Sequence, residues 1–130
     1  MKCVYPAIIT PEDGMYNVEF PDLPDCYTCG DDLADAVYMA EDVLSCYLEL
    51  EEREGRNVPA ASGFATLNVP ADSVVTLVFA DTEAYRRKMS TRSVKKTLSI
   101  PQWLNEAAEA RGVNFSQILQ EALKTELGLA

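Results

Sequence analysis

The segment that decides the fold spans residues 94–127 and reads VKKTLSIPQWLNEAAEARGVNFSQILQEALKTEL. Polar and apolar residues alternate at the end of its first seven residues, 94–100, which predicts a β-strand with one polar and one apolar face. Leu98 and Ile100 occupy the apolar face of this strand. The opposite face is polar and carries Lys95, Thr97 and Ser99.

Two short helices are predicted after this strand. Pro101 stops the strand and suits the first position of a helix, with Ser99 or Ile100 as its cap, and Gly112 suits the helix end. Asn114 then caps a second helix, with a glutamine at the spacing of a capping box. Both helices carry apolar stripes, formed by Leu104, Ala107 and Ala108 on the first and by Ile118, Leu119, Ala122, Leu123 and Leu127 on the second.

One strand and two helices in about 35 residues are too few to bury a core, and a lone strand has two unpaired edges. Both problems vanish when two chains pair their strands antiparallel and pack four helices around them. The predicted dimer core consists of Leu98, Ile100, Leu104, Ile118, Leu119 and Leu123. The paired strands form a ribbon that fits the major groove of DNA, where Lys95, Thr97 and Ser99 are predicted to contact bases.

Charge is divided unevenly along the chain. Residues 1–83 hold 17 acidic and 3 basic side chains, a net of −14, whereas residues 84–130 hold 8 basic and 4 acidic ones, a net of +4. The total of −10 argues against nucleic-acid binding, but the division predicts a nucleic-acid-binding end. The predicted phosphate contacts are Arg86, Arg87, Lys88 and Arg92, for which a solvated linker is the alternative, and Asn114, Phe115 and Ser116 at a helix start.

The first 80 residues predict a small α+β domain with the order β-β-β-α-β. A helix begins after Asp31 or Asp32 and ends near Gly55, and the apolar run 74–79 predicts a fourth strand in the centre of the sheet. The other three strands are predicted from runs of residues that favour β-structure, at 2–9, 15–20 and 26–29. The first two of these strands form a hairpin.

The chain therefore divides into a domain at 1–81, a basic linker at 82–93 and a C-terminal module at 94–130. Thr82 is predicted to cap a short helix in the linker. No apolar run approaches the roughly 18 residues of a membrane span, and acidic residues follow the N-terminal strand too soon for a good signal peptide. We expect a cytoplasmic protein with no membrane partner.

Few catalytic chemistries are open to this chain. Histidine is absent, which excludes Ser-His and Cys-His nucleophiles and histidine metal sites. Cys26 and Cys29 form a lone C-x-x-C, for which structural cysteines are favoured over a zinc site or a redox pair. Carboxylates near the hairpin would have to converge for a metal-dependent nuclease, and the candidates are Glu19, Asp22 and Asp25. We predict no cofactor and no metal.

Two parts of the chain resemble known families. Residues 94–127, with KKTLSIP followed by GVNFS, look like a ribbon-helix-helix module. The N-terminal part resembles the HicB antitoxins through Tyr5-Pro6-Ala7, through GMYNVEFPDLP at 14–24, and through Cys26, Thr28 and Gly30-Asp31. Asp25 departs from this family, in which glycine is usual at this position.

The resemblance implies a partial ribonuclease-H-like N-terminal domain without catalytic carboxylates, which would bind and block a small basic mRNA-cleaving toxin, HicA. It implies that the C-terminal module binds operator DNA and represses the shared operon. We expect a homodimer of the chain, and the sequence leaves open whether the N-terminal domains join dimers into a tetramer. The predicted toxin contacts are Glu19, Asp22, Asp25, Asp35 and Asp42. The alternatives are a stand-alone repressor whose N-terminal domain senses a ligand or oligomerises, and a metal-dependent nuclease.

Overall fold

The computed structural model describes residues 1–63, 66–90 and 92–129, and the chain forms two compact units, Met1–Arg92 and Ser93–Ala130. The first unit contains strands β1 (Lys2–Glu12), β2 (Met15–Glu19), β3 (Tyr27–Gly30) and β4 (Val74–Asp81), and helices α1 (Leu33–Arg53) and α2 (Thr82–Met89). The second unit contains helices α3 (Gln102–Arg111) and α4 (Phe115–Leu127). No helix in the described part of the chain has the length and hydrophobicity to cross a bilayer.

The four strands form one antiparallel sheet in the order β3-β2-β1-β4. The predicted hairpin joins β1 to β2 through Asp13 and Gly14, whose φ angles of 50° and 80° are those of a two-residue turn that matches the strand twist. β1 is central because Ile8–Glu12 pair with β2 while Lys2–Ile9 pair with β4. Its middle is buried on both faces over five consecutive residues, 5–9.

The predicted central position of β4 is wrong, since β4 is an edge strand. Its apolar run suggested burial on both faces, but Leu77 is 55% exposed and Phe79 is 54% exposed. Only Val78 and Ala80 point into the core. A run of apolar residues does not specify which strand lies in the middle, because that position depends on which strand pairs with β1.

Helix α1 covers one face of the sheet. It begins at Asp32, one of the two predicted caps, whose carboxylate accepts a hydrogen bond from the Asp35 N–H at 2.7 Å. Gly55 follows the helix end with a φ of 70°. Its buried residues recur every four positions, at Ala36, Ala40, Leu44 and Leu48. They pack against sheet and loop residues that include Tyr5, Ala7, Ile9, Val18, Phe20, Leu23, Cys26, Val78 and Ala80.

Helix α2 packs against α1, so it belongs to the first compact unit, which extends to Arg92 rather than to residue 81. Its cap is Asp81, one residue before the predicted Thr82. The Asp81 carboxylate accepts hydrogen bonds from the N–H groups of Glu83 and Ala84 at 3.1 and 3.2 Å. Thr82 is instead fully buried, where its hydroxyl bonds to α1.

The second unit contains the two predicted helices but no strand among its described residues. The segment 94–100 has no regular structure in a single chain, because a strand requires a hydrogen-bonded neighbour. Pro101, rather than Ser99 or Ile100, caps α3, and no side chain bonds to this helix start. The predictions for Gly112, with a φ of 66°, and for Asn114, which accepts the Gln117 N–H at 3.1 Å, are confirmed.

Candidate functional site

The face of the sheet opposite α1 is partly open. Strand register places Val4 beside Phe79 and Pro6 beside Leu77 on this face, since cross-strand partners share a face. Val4, Leu77 and Phe79 are 41%, 55% and 54% exposed, so they form an apolar strip along the β4 side. The β2–β3 side of the sheet is polar instead and carries Glu12, Asn17, Glu19 and Tyr27.

The five acidic residues predicted to contact a toxin lie in three separate places. Glu19 is exposed on β2, and Asp22 and Asp25 lie in the loop between β2 and β3. Asp35 and Asp42 lie on α1. The structure therefore does not gather these carboxylates into one site, and no group of three or more His, Cys, Asp or Glu side chains in the described residues could hold a metal ion.

Two of these acids lie in the β2–β3 loop and differ in their structural roles. Asp22 accepts hydrogen bonds from the N–H of Ser62, at 2.9 Å, and from the Ser62 hydroxyl, which ties the loop to the segment between α1 and β4. Asp25 has a φ of 62°, in the left-handed region that favours glycine. This backbone angle explains why glycine is usual here in the HicB family, and aspartate is among the residues that tolerate it best.

The two acids on α1 differ in their surroundings. Asp35 accepts a hydrogen bond from the Asp31 N–H at 2.9 Å, so it helps to cap α1. Asp42 is half-buried and lines a groove of about 250 Å³ between α1 and α2, together with Glu41, Tyr85 and Lys88. Glu19 and Asp25 are therefore the predicted toxin contacts with the most exposed side chains.

An ion-pair cluster fastens α2 to α1. Arg86 lies 3.4 Å from carboxylate oxygens of both Glu49 and Glu52. The Thr82 hydroxyl donates to Glu52 at 2.7 Å, and this hydrogen bond, followed by that from Arg86, holds the pKa of Glu52 below its usual value. The same carboxylates raise the pKa of Arg86.

This cluster bears on the predicted phosphate contacts of α2 and the segment after it. The guanidinium of Arg86 already has carboxylate partners, and the ammonium of Lys88 lies 5.9 Å from the ring centroid of Tyr38. Arg87 and Arg92 are exposed. All four phosphate contacts stay predictions, and Arg86 has the strongest structural role of the four.

The C-x-x-C pair has no feature of a redox site. Cys26 is buried in the core, which raises the pKa of its thiol to about 12, whereas reactive thiols have lowered values. Cys29 is exposed on β3, and both cysteines are free thiols, as are Cys3 and Cys46. The structure therefore favours a packing role for Cys26.

The second unit has no core of its own. No residue between positions 92 and 129 is buried, and the apolar residues predicted to form a dimer core remain accessible. Leu98 is 59% exposed, Ile118 is 53% exposed and Leu123 is 49% exposed. Lys95, Thr97 and Ser99 are also exposed, in the segment that precedes α3.

Comparison with known proteins identifies the family. A family model described as the HicB-like antitoxin of bacterial toxin-antitoxin systems matches residues 5–123. The chain belongs to this family. Its members are antitoxins, which are generally regulatory proteins and not enzymes. The match spans both compact units, so the HicB-like antitoxin family accounts for the second unit as well as for the first.

Relatives of this HicB-like chain include Antitoxin HicB 1 of Photorhabdus laumondii, which is 35% identical over 100 residues. That match covers 71% of the chain but only 64% of the relative, less than two thirds of its length. A chain of the toxin-antitoxin complex from Streptococcus pneumoniae is 25% identical with a TM-score of 0.62, covering 97% of this chain and 99% of that one. The Burkholderia pseudomallei antitoxin HicB, at 21% identity, shares the fold with a TM-score of 0.54, covering 93% and 96%.

Sequence reasoning missed two features of this HicB-like chain. The apolar strip with Leu77 and Phe79 was hidden by the prediction that β4 is central. The ion-pair cluster of Arg86 was hidden because its partners lie 34 and 37 positions away. The sequence does show acidic residues along α1 and basic residues after β4. This pattern suggests that ion pairs could form, but it does not reveal which side chains pair.

Proposed function

We propose that this chain is an antitoxin that binds and neutralises a HicA-like mRNA-cleaving toxin and represses its own operon. Toxin binding is assigned to the first unit and operator binding to a ribbon-helix-helix dimer of the second. The observation that carries the proposal is that none of the described residues of the second unit is buried. Its exposed apolar side chains therefore need a partner, and a second copy of the unit would supply a matching apolar surface.

The DNA-binding part of the proposal depends on the predicted pairing of segment 94–100 with its copy. Pairing would bury Leu98 and Ile100 against the helices of both chains and leave Lys95, Thr97 and Ser99 facing the major groove. The ordered start of α4, where Asn114 caps the helix, would present N–H groups to a phosphate beside Phe115 and Ser116. Basic residues of the segment before the ribbon would add sequence-independent affinity.

The toxin-binding part of the proposal rests on charge. The first unit holds most of the acidic residues of the chain, and an acidic surface attracts a small basic partner, most strongly at low salt. We assign the contacts to Glu19, Asp22, Asp25, Asp35 and Asp42, with Glu19 and Asp25 as the most accessible. The order of strands and helix in this unit supports a partial ribonuclease-H-like fold for it.

A truncation separates the two activities. A chain ending at Arg92 retains α2 and its contacts with α1, and we expect it to protect cells that express the toxin from the adjacent gene. The same truncated chain should fail to bind a duplex from its own upstream region. Repression or specific duplex binding by residues 1–92 would contradict the assignment of DNA binding to the second unit.

Binding of the full chain to its upstream duplex, against a scrambled duplex at two salt concentrations, tests the repressor directly. We expect preference for the native site and a steep loss of affinity as salt rises. The second candidate function is a stand-alone repressor whose first unit senses a ligand or oligomerises. Operator binding without protection from the adjacent gene product would favour that alternative.

A further inference from the structure

Helices α1 and α2 pack against each other and border a groove of about 250 Å³. Each helix lines it with side chains at the spacing i, i+3, i+4 and i+7, which share one helix face. The lining residues are Tyr38, Glu41, Asp42 and Ser45 on α1, the cap Asp81 with Ala84, Tyr85 and Lys88 on α2, and Phe79 on β4. The walls of the groove therefore come from two helices and a strand.

The groove combines aromatic rings with carboxylates. The side chains of Tyr38 and Phe79 are 59% and 54% exposed, so their rings are accessible to a ligand. Glu41 and Asp42 have no ion-pair partner among the described residues, whereas Asp81 already accepts two N–H groups at the start of α2. Aromatic faces and unpaired carboxylates both attract cations, so this lining favours a positively charged ligand.

A cation of the chain itself already lies at this groove. The ammonium of Lys88 is 5.9 Å from the ring centroid of Tyr38, within the range of a cation–π contact. The Tyr38 ring therefore accepts an alkylammonium group in this position. An amine from outside the chain would find the same ring and, on the same helix face, the carboxylates of Glu41 and Asp42.

The size of the groove limits what can occupy it. A volume of about 250 Å³ is at the small end of ligand pockets, which suits one extended aliphatic chain. An anion would meet carboxylates from both helices, and a neutral ligand would leave them unpaired. A free amine is favoured over a side chain of a protein partner, because the most accessible carboxylates of the predicted toxin contacts, Glu19 and Asp25, lie outside the groove.

We propose that this groove binds a small linear polyamine. Its ammonium groups pair with Glu41 and Asp42, and its methylene chain packs on the rings of Tyr38 and Phe79. The bound amine replaces the ammonium of Lys88 at the Tyr38 ring, so the lysine of the chain acts as a competitor. This site goes beyond the proposed function, because its ligand is neither a protein nor DNA.

Calorimetric titration of the full chain with putrescine at low salt tests the site. Asp42→Asn should weaken binding about tenfold, because it removes a hydrogen bond between charged groups. Tyr38→Leu changes no charge and should weaken binding about two- to fivefold through the lost cation–π contact. Lys88→Met should strengthen binding by a similar factor, because it removes the competing ammonium.

The matched control is Asp13→Asn, which removes the same charge as Asp42→Asn. Asp13 lies in the turn that follows Glu12, at the opposite end of β1 from Lys2, which pairs with Asp81 beside the groove. Asparagine tolerates the φ of 50° at this position, so Asp13→Asn should keep both the fold and the affinity for putrescine. Circular dichroism and melting temperature check the fold of every variant.

Mg²⁺ separates the groove from general attraction of cations, since it has the same double charge as putrescine and no methylene chain. Equal putrescine affinity in wild type, Tyr38→Leu and Asp42→Asn would overturn the proposal, as would Mg²⁺ binding that responds to these substitutions in the same way. If the variants lost only the adjacent gene product and kept putrescine, the groove would belong to a protein contact instead. Failure of that product to bind the wild type would contradict the proposed function and leave the putrescine result to decide the groove.

Discussion

Gly30 lies at a close approach of β3 to α1. A Cβ atom built at this position would lie 2.3 Å from the backbone nitrogen of Ala36 and 2.6 Å from its Cα. Helix backbone cannot yield as a flexible side chain can, so we expect Gly30→Ala to lower the free energy of unfolding by about 1–3 kcal/mol. Urea unfolding of the full chain measures this loss.

The control for Gly30 is Gly63, where a Cβ would meet no atom of the described residues within 4 Å and φ is not positive. Gly63→Ala should leave stability unchanged or raise it by up to about 1 kcal/mol through the unfolded state. If both alanines cost the same, the close packing of β3 on α1 would not be the cause.

Glu52 gives the first unit a pH-dependent contact at the scale of one side chain. Its pKa is lowered by the Thr82 hydroxyl first, then by Arg86 and by the N-terminal ammonium of Met1, which lies 3.4 Å from the Glu52 carboxylate. The stabilising contribution of Glu52 is therefore present above the unfolded pKa and is lost as pH falls through the folded value. Glu52→Gln should therefore lower the melting temperature at pH 7, and its difference from wild type should shrink toward pH 3. Calorimetry at both pH values measures this.

Glu41 provides the comparison for Glu52, since its side chain is exposed on the same helix and no ion pair engages it among the described residues. Glu41→Gln should leave the melting temperature nearly constant at both pH values. A Glu52→Gln effect of the same size at pH 7 and pH 3 would show that the charge on Glu52 does not contribute to the stability of the first unit.

At the scale of elements, local sequence signals predicted that a helix or strand exists, and which of the two it is, better than they predicted its position in the fold. The hairpin turn, the Asp32 cap and the Asn114 cap were predictable because each depends on residues within a few positions. The edge position of β4 was not, because pairing partners are chosen by the whole sheet. The ribbon strand stays a prediction for a related reason, since the strand that would pair with it belongs to another chain.

The same limit applies to the candidate site. Acidic charge on the first unit was readable from composition, but the distribution of Glu19, Asp22 and Asp42 over a strand, a loop and a helix was not. Asp22 illustrates the difficulty, since its partner Ser62 lies 40 positions away in a segment without regular structure. A carboxylate near a hairpin is equally compatible with a structural bond and with a contact to another protein.

Asn114 allows the capping and phosphate roles of one element to be separated. Its side chain accepts the Gln117 N–H at 3.1 Å, so Asn114→Ala should destabilise α4 by about 0.5–2 kcal/mol. Asn114→Asp retains the cap but places a negative charge where a phosphate is expected. We therefore expect Asn114→Asp to keep the melting temperature and to weaken duplex binding, as measured by calorimetry and fluorescence anisotropy.

Equal duplex affinity for Asn114→Asp and wild type would leave Asn114 with a capping role alone. Ser116 serves as a second probe at the same helix start, because its side chain is exposed and makes no capping bond among the described residues. Ser116→Asp should weaken duplex binding in the same way. A loss of binding confined to Asn114→Ala would instead point to unfolding of α4.

At the scale of the whole molecule, the division of charge assigns the two proposed contacts to different units of one chain. Binding of basic toxin and binding of DNA should both weaken as salt rises, the first through the acidic unit and the second through the basic segment. Truncation at Arg92 should therefore remove the salt-dependent binding of DNA and leave that of the toxin.

The last prediction concerns the ribbon, where one segment must form a dimer and also recognise DNA. Lys95→Ala combined with Thr97→Ala removes two predicted base contacts without touching Leu98 or Ile100, so the preference for the native duplex should disappear while the assembly keeps its mass. A lost bidentate contact of Lys95 with guanine is expected to cost about 1–3 kcal/mol of discrimination. Anisotropy with native and scrambled duplexes measures the preference for the native site, and sedimentation velocity measures the mass of the assembly.

Leu98→Asp is the reciprocal variant, and it should abolish the second-unit dimer and operator binding together. Loss of the dimer in Lys95→Ala with Thr97→Ala would mean that the two faces of the strand are assigned the wrong way round.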